Sequence, residues 1–439
     1  MGKTHFENLK KFGLRLLYAY VGLFSLYALN DTIELFGRYV TKREFGSPLT
    51  DFLHKVVPWI GPHLFGIFVP NFSNGSADTS YDWTYALCQL LVALFIAIIW
   101  TALSYRDGKR FVVESWIRLF ARISLALEIA DYGFIKVFPL QFGSLTPDRL
   151  IVPFGQLNPF DLLWAFMAYS KGYTIFCGLI EVLGSFFLLI PQLTTLGALL
   201  LIVALTNVFA LNLAYDIPVK LFSFHLLLIA HFLAASDFSR LFNFLILNRP
   251  IPKAPEFPLA KRKSLHQKIL VASTLIGLVC FAMIFLSRLE IFEHQNKKLL
   301  ARYPFEGIWR VDKLKGSTPF SYFSANLREK IDGGSQNTPA FNSFYIGHDN
   351  LAIQFENLDV ESFRLDFDKE KNVGVLSHDS DLEWKGQLTF EIINSQLLHI
   401  LGNLNGVEIS AHLHKESLPE SKLLRRGFHL VSETPYESF

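Results

Sequence analysis

Residues 116–138 read WIRLFARISLALEIADYGFIKVF. At 1.5 Å per residue the stretch reaches about 35 Å, enough to cross a hydrocarbon core about 30 Å thick. Arg118, Arg122, Glu128, Asp131 and Lys136 nevertheless fall inside it. Each such group costs roughly 2.5–3.5 kcal/mol at a membrane helix centre, even on the lenient insertion scale. A segment this apolar and this charged reads as a membrane helix whose charges are met by others within a bundle.

The surrounding chain supports that reading. Its 439 residues are 51% hydrophobic and only 18% charged, with a mean hydropathy of +0.30. That excludes a purely cytosolic enzyme and a disordered chain, because so much apolar surface must be buried somewhere. The net charge of +2 and the lack of a basic stripe with interleaved aromatics exclude nucleic acid as a partner. Cys88, Cys177 and Cys280 form neither a disulfide framework nor a C-x-x-C motif.

Further spans are expected near Phe12–Leu35, Tyr81–Ser104, Tyr173–Ile190, Thr194–Leu213, Pro218–Ala235 and Lys268–Leu289, about seven in all. The first has no small-x-small cleavage site and reads as a membrane helix, not a removed signal. Lys261, Arg262, Lys263 and Lys268, with Arg106, Lys109 and Arg110, place their sides in the cytoplasm. The N-terminus is then cytoplasmic and the C-terminus extracytoplasmic, which fits a bacterial inner membrane. Leu53–Val69 and Leu162–Met167 are apolar but too short to span and are expected in the interface. Asn71-Phe-Ser and Asn74-Gly-Ser match a glycosylation acceptor only by a pattern too short to carry weight.

Very short turns at Pro191-Gln192 and around Tyr215-Asp216 make the fourth to sixth spans antiparallel neighbours, which form a four-helix unit with the third. Other polar groups lie on these helices: Glu181, Asn207, Asn212, Asp216, Lys220 and His225. Glu128 and Asp131 are three apart, and Asp216 and Lys220 four apart, so each pair shares a helix face. With Lys136 they are candidates for one polar pocket toward the outer leaflet. The competing reading is a salt-bridge network that fixes helix register. His231, near the inner end of its span, is expected to matter less, and Arg118 and Arg122 to meet inner-leaflet phosphates.

After Glu290 the pattern changes to short alternating runs separated by turn residues. A linker over 291–300 is expected to lead into a mostly antiparallel β barrel or sandwich over 301–439. Its strands are placed at Gly307–Lys313, Ser343–Gly347, Leu351–Phe355, Ser362–Asp366, Gly374–Ser377, Gln387–Ile393, Leu397–Leu401, Val407–His412 and Phe428–Ser432. Asn394-Ser395 and Asn403-Leu-Asn-Gly406 read as hairpin turns. His412 and His414 share a face and could form half a metal site with His399 or His429, but no carboxylate or Cys completes the set, so no metal site is assigned.

The sequence Tyr132-Gly133-Phe-Ile-Lys136, followed by Gly178-Leu-Ile-Glu181 and Pro191-Gln-Leu-Thr-Thr-Leu-Gly197, resembles the DoxX family of membrane proteins over roughly residues 116–249. Gly133, Lys136, Gly178 and Glu181 match that family's Gly-x-x-Lys and Gly-x-x-Glu elements. The resemblance implies a four-helix core and a link to quinone-dependent membrane redox systems, with quinone as cofactor and a membrane or extracytoplasmic oxidoreductase as partner. Two spans in front, one behind and the β tail depart from the family's short form. The longer arrangement is similar to DoxX-like proteins of Bacteroidetes-type bacteria. In the tail, Gly307-Ile-Trp309 resembles the Gly-x-Trp element of lipocalin-like barrels, where Arg425 or Arg426 would cover the Trp. The alternatives to a redox subunit are a transporter or lipid and small-molecule binder, and an assembly partner acting through the β domain.

Overall fold

The computed structural model describes residues 2–41, 46–70, 77–103, 110–146, 149–150, 152–254, 257–300, 305–316, 341–355, 360–378 and 381–416. Arg106, Lys109, Asn71, Asn74, Arg425, Arg426, His429 and the strand expected at Phe428–Ser432 lie outside the described residues. The chain divides into two compact units, one of Met1–Gly143 with Phe166–Phe292 and one of Ser144–Ala165 with Glu293–Phe439.

The helices are α1 (Gly2–Thr41), α2 (Pro48–Ile60), α3 (Ser80–Leu103), α4 (Arg110–Val137), α5 (Pro159–Tyr169), α6 (Lys171–Leu189), α7 (Thr194–Ala214), α8 (Lys220–Ala235), α9 (Phe238–Leu245) and α10 (Lys263–Leu300). Among the described residues, five helices are long and apolar enough to cross a membrane, or up to six if the bent pair of α8 and α9 is one span. This is a multi-pass membrane protein. The remaining expected span, the third, is α4, which is long enough at 28 residues but carries too many charges to pass on composition alone.

Side-chain contacts fix helix directions. Tyr18 bonds Arg118, and further along both helices Leu29 and Phe36 pack against Leu127, Ala130 and Phe134, so α1 runs parallel to α4. Phe134 touches Phe281 and Phe285, and Phe138 touches Phe285 and Phe292, so α10 is parallel to α4 as well. Gln89 bonds the Tyr20 carbonyl while Tyr27 meets Tyr85, which makes α3 antiparallel to α1.

The expected linker and both apolar patches are helical. Residues 291–300 continue α10 without a break. No Gly or Pro interrupts Glu290–Leu300, and its Glu, Gln, Lys and Leu residues favour helix, so the chain has no cause to leave it. The patches at Leu53–Val69 and Leu162–Met167 are also largely helical, as α2 with a following π turn and as α5. Ser47 starts α2 by accepting the Thr50 N–H at 3.2 Å.

The second unit holds a closed barrel of β1 (Gly307–Gly316), β2 (Phe341–Ile346), β3 (Asn350–Phe355), β4 (Val360–Asp368), β5 (Val373–His378), β6 (Asp381–Asn394), β7 (Leu397–Leu404) and β8 (Val407–Glu416), each antiparallel to the next, with β1 closing on β8. Alternate side chains point inward and pack its interior with Trp309, Phe344, Phe355, Phe363, Trp384 and Phe390, among others. Trp309 donates from Nε1 to the Phe305 carbonyl at 2.7 Å. Asn405 and Gly406, at φ 49° and 91°, make the two-residue β7–β8 turn that strand twist favours. After β4, backbone N–H groups of Lys371 and Glu370 hold the Asp368 carboxyl below the ordinary aspartate range.

Candidate functional site

The glycine motifs act first on the backbone. A Cβ at Gly133 would fall 2.7 Å from Val182 Cγ2, and one at Gly178 would fall 2.7 Å from the Gly133 carbonyl oxygen. Only glycines allow α4 and α6 to approach this closely, and the next turn of each helix then carries its charge into the contact. Lys136 Nζ donates to Glu181 Oε2 at 2.7 Å and to Oε1 at 3.0 Å. Both side chains are buried, at 7% and 4% exposure. Gly-x-x-Lys and Gly-x-x-Glu are thus two halves of one helix lock, with opposite charges sealed between the backbones they bring together.

A second charged pair links α4 to α10. Arg288 donates to both Asp131 oxygens, at 2.6 and 2.7 Å, in the bidentate geometry that guanidinium and carboxylate favour. Glu128 lies one turn earlier, half-buried, with no hydrogen-bond or ion-pair partner among the described residues. The charges of Asp31 on α1 and of Asp131 both act on Glu128, and the Tyr132 phenol lies in the field of all three and of Arg288. Tyr27 and Tyr85 meet at 5.0 Å between ring centroids and feel the Asp31 charge. The result is a polar cluster between α1, α3, α4 and α10 with three carboxylates, of which Asp131 is paired by Arg288.

The other expected members go elsewhere. Asn207 is exposed on α7 and takes no part. Asn212 is buried and donates to Ser223 Oγ at 2.9 Å, closing the α7–α8 turn. Asp216 sits in that turn at φ 52° and pairs with Lys220 at 2.7 Å, largely in the open. Lys220 also approaches Asp78 at 3.6 Å, and Asp78 accepts the Lys220 and Leu221 N–H groups at 2.8 Å each, capping α8.

His225 is buried and held at both nitrogens. Its Nδ1 lies 2.7 Å from the Leu221 carbonyl and its Nε2 lies 2.5 Å from the Tyr20 hydroxyl. A carbonyl only accepts, so Nδ1 carries the proton and Nε2 accepts from Tyr20. Phe24 stacks on the ring at 4.7 Å. These side chains fall into three sets of partners: the α4–α6 lock, the carboxylate cluster, and a capped turn with a satisfied imidazole.

The expectation that Arg118 and Arg122 meet inner-leaflet phosphates is corrected. Arg118 lies over the rings of Phe257, Phe232 and Tyr18, at 4.3, 4.8 and 5.6 Å. Arg122 is buried inside the bundle. In the barrel, His399 bonds Glu391 and Ser410 at 3.0 Å each and stacks on His412 at 4.1 Å, while His414 bonds Asp312 at 2.7 Å. Parallel stacked rings do not direct their nitrogens to a common point.

Asp31 and Arg288 are members of the carboxylate cluster that the sequence pattern does not single out. One signal could have found Arg288: it and Asp131 both sit near the ends of spans that run the same way, hence at one depth.

No family model matches the chain, and neither does any solved structure. The uncharacterised protein YwoB of Bacillus subtilis is 33% identical to it over 115 residues, which cover 26% of this chain and 70% of YwoB. With that much of YwoB matched at that identity, the chain belongs to the YwoB family.

Proposed function

We propose that this is a seven-span membrane protein that binds a small polar ligand at the carboxylate cluster, in the outer half of the bilayer, and serves as the membrane subunit of a quinone-linked redox system. The alternation of helix directions through α1, α3, α4, α6, α7, α8 and α10 supports seven crossings, with a cytoplasmic N-terminus, an extracytoplasmic barrel and residence in a bacterial inner membrane. The observation that carries the ligand site is Glu128, a carboxylate within the bundle left without a partner while its neighbour Asp131 is paired by Arg288. Leaving such a group in lipid is costly, and a ligand would offset that cost.

The donor set suits a quinone. The Tyr132 hydroxyl and the Arg288 guanidinium can donate to ring oxygens, and the carboxyls of Glu128 and Asp31 can hold or release protons there. A bound quinone would supply two-electron, two-proton chemistry, with electrons exchanged through a partner oxidoreductase. The DoxX resemblance points the same way. The excess of carboxylates over cations supports a second reading, in which the site takes a cationic ligand for transport without electron transfer.

Mass spectrometry of the protein purified in mild detergent tests both. Quinone retained by the wild type and lost in Glu128→Gln and Tyr132→Phe supports the redox reading. An amine or metal cation in its place supports the second, and no bound molecule in any of the three removes the site.

A further inference from the structure

Beyond the carboxylate cluster, the opposite end of the bundle carries a surface of different chemistry. Helix α9 leaves α8 at a bend of 72°. If α8 crosses the bilayer, α9 runs close to its plane. Phe238, Phe242 and Leu245 recur at helical spacing on one side of α9, at 66%, 43% and 66% exposure, and Ile246 and Ile251 follow at 67% and 47%. An amphipathic helix in that orientation buries its apolar face at the boundary between headgroups and acyl chains.

The rim of this apolar face is basic. Between 238 and 268 the sequence has Arg240, Arg249, Lys253, Lys261, Arg262, Lys263 and Lys268 against one acid, Glu256. The whole chain is only +2, so this stretch concentrates positive charge while the remainder is net negative. The stretch is also held in place. Arg240 bonds Asp237 at 2.6 Å and reaches the Pro252 carbonyl at 3.1 Å, which folds 246–252 back over α9. The Leu259 carbonyl accepts from Trp116 Nε1 at 3.2 Å, and its N–H bonds His266 Nδ1 at 3.1 Å, which pins the approach to α10 against α4. Arg249, Lys261, Arg262 and Lys263 remain exposed.

We propose that α9 and the basic stretch up to the start of α10 form a binding surface for anionic phospholipid headgroups. The apolar stripe supplies insertion, and the fixed cations supply selectivity for negative over zwitterionic lipid.

The test is native mass spectrometry of the full chain in mild detergent, titrated with phosphatidylglycerol or phosphatidylcholine. Each basic side chain near an anionic surface contributes about fivefold, so a preference for phosphatidylglycerol of about tenfold or more is expected at low salt, collapsing at high salt. The variant R249Q/K261Q/R262Q/K263Q should lose that preference, and R364Q/K369Q/K371Q/K385Q, which removes four cations from the barrel, should keep it. Equal binding of the two lipids by the wild type, a preference that survives high salt, or equal loss in both variants would overturn the proposal. The salt titration reads the wild type alone, so it decides even if the first variant misfolds.

Discussion

The bundle and the barrel bury opposite things. Inside the barrel, eight strands enclose Trp309, Trp384 and a set of phenylalanines, while His399 bonds Glu391 and His414 bonds Asp312 on the outside. In the bundle, many of the Leu, Ile, Val and Phe residues on α3 and α10 are exposed, while Lys136, Glu181 and Arg122 are buried. Water outside the barrel makes burial of apolar surface the driving force. Lipid outside the bundle removes that force, and what remains is close backbone approach at small residues together with the pairing of groups that hydrocarbon would not tolerate.

The sharpest way to break this contrast is to remove one charge from the α4–α6 lock. Glu181→Ala leaves Lys136 buried and unpaired and should cost about 3–5 kcal/mol, read as a fall in thermal stability in detergent. The combined Lys136→Met and Glu181→Leu variant should recover much of that loss. If the double change is as damaging as the single one, the lock is not what the charges are for. Trp309→Ala in the barrel should cost about 3–5 kcal/mol by creating a cavity. Its effect should stay in the barrel, with protease sensitivity appearing there while the helical signal persists.

Two smaller changes sharpen the comparison. Gly406→Ala asks an L-residue to adopt φ 91° and should lower barrel stability by about 1 kcal/mol, measurable as a shift in the denaturant midpoint. His231 is exposed on α8 and, among the described residues, bonds only the Leu227 carbonyl of its own helix, at 2.9 Å. His231→Gln should therefore change stability by less than about 0.5 kcal/mol. A large effect there would mean that this face of α8 is covered by another protein.

Much of this was legible before any fold was seen. Period-two alternation placed the eight described strands within about four residues, except that β6 begins at Asp381 and not at Gln387, because one face of each had to meet the same interior. The short turns marked antiparallel neighbours, whereas Gly-x-x-Lys and Gly-x-x-Glu were legible only as a family resemblance. The grouping of the polar residues was not legible. Asn207 and Asn212 are five apart on one helix, yet one is exposed and the other closes a turn. Glu128 and Asp131 are three apart, yet only Asp131 meets Arg288, which is 157 positions away in sequence.

By itself, the sequence determined which segments must leave water and which strands must share a core, since both follow from apolar spacing along the chain. Only the tertiary structure decided which charge meets which. Partner choice depends on how each helix is rotated and at what depth it lies against its neighbours, and these are set by contacts between residues far apart in the chain.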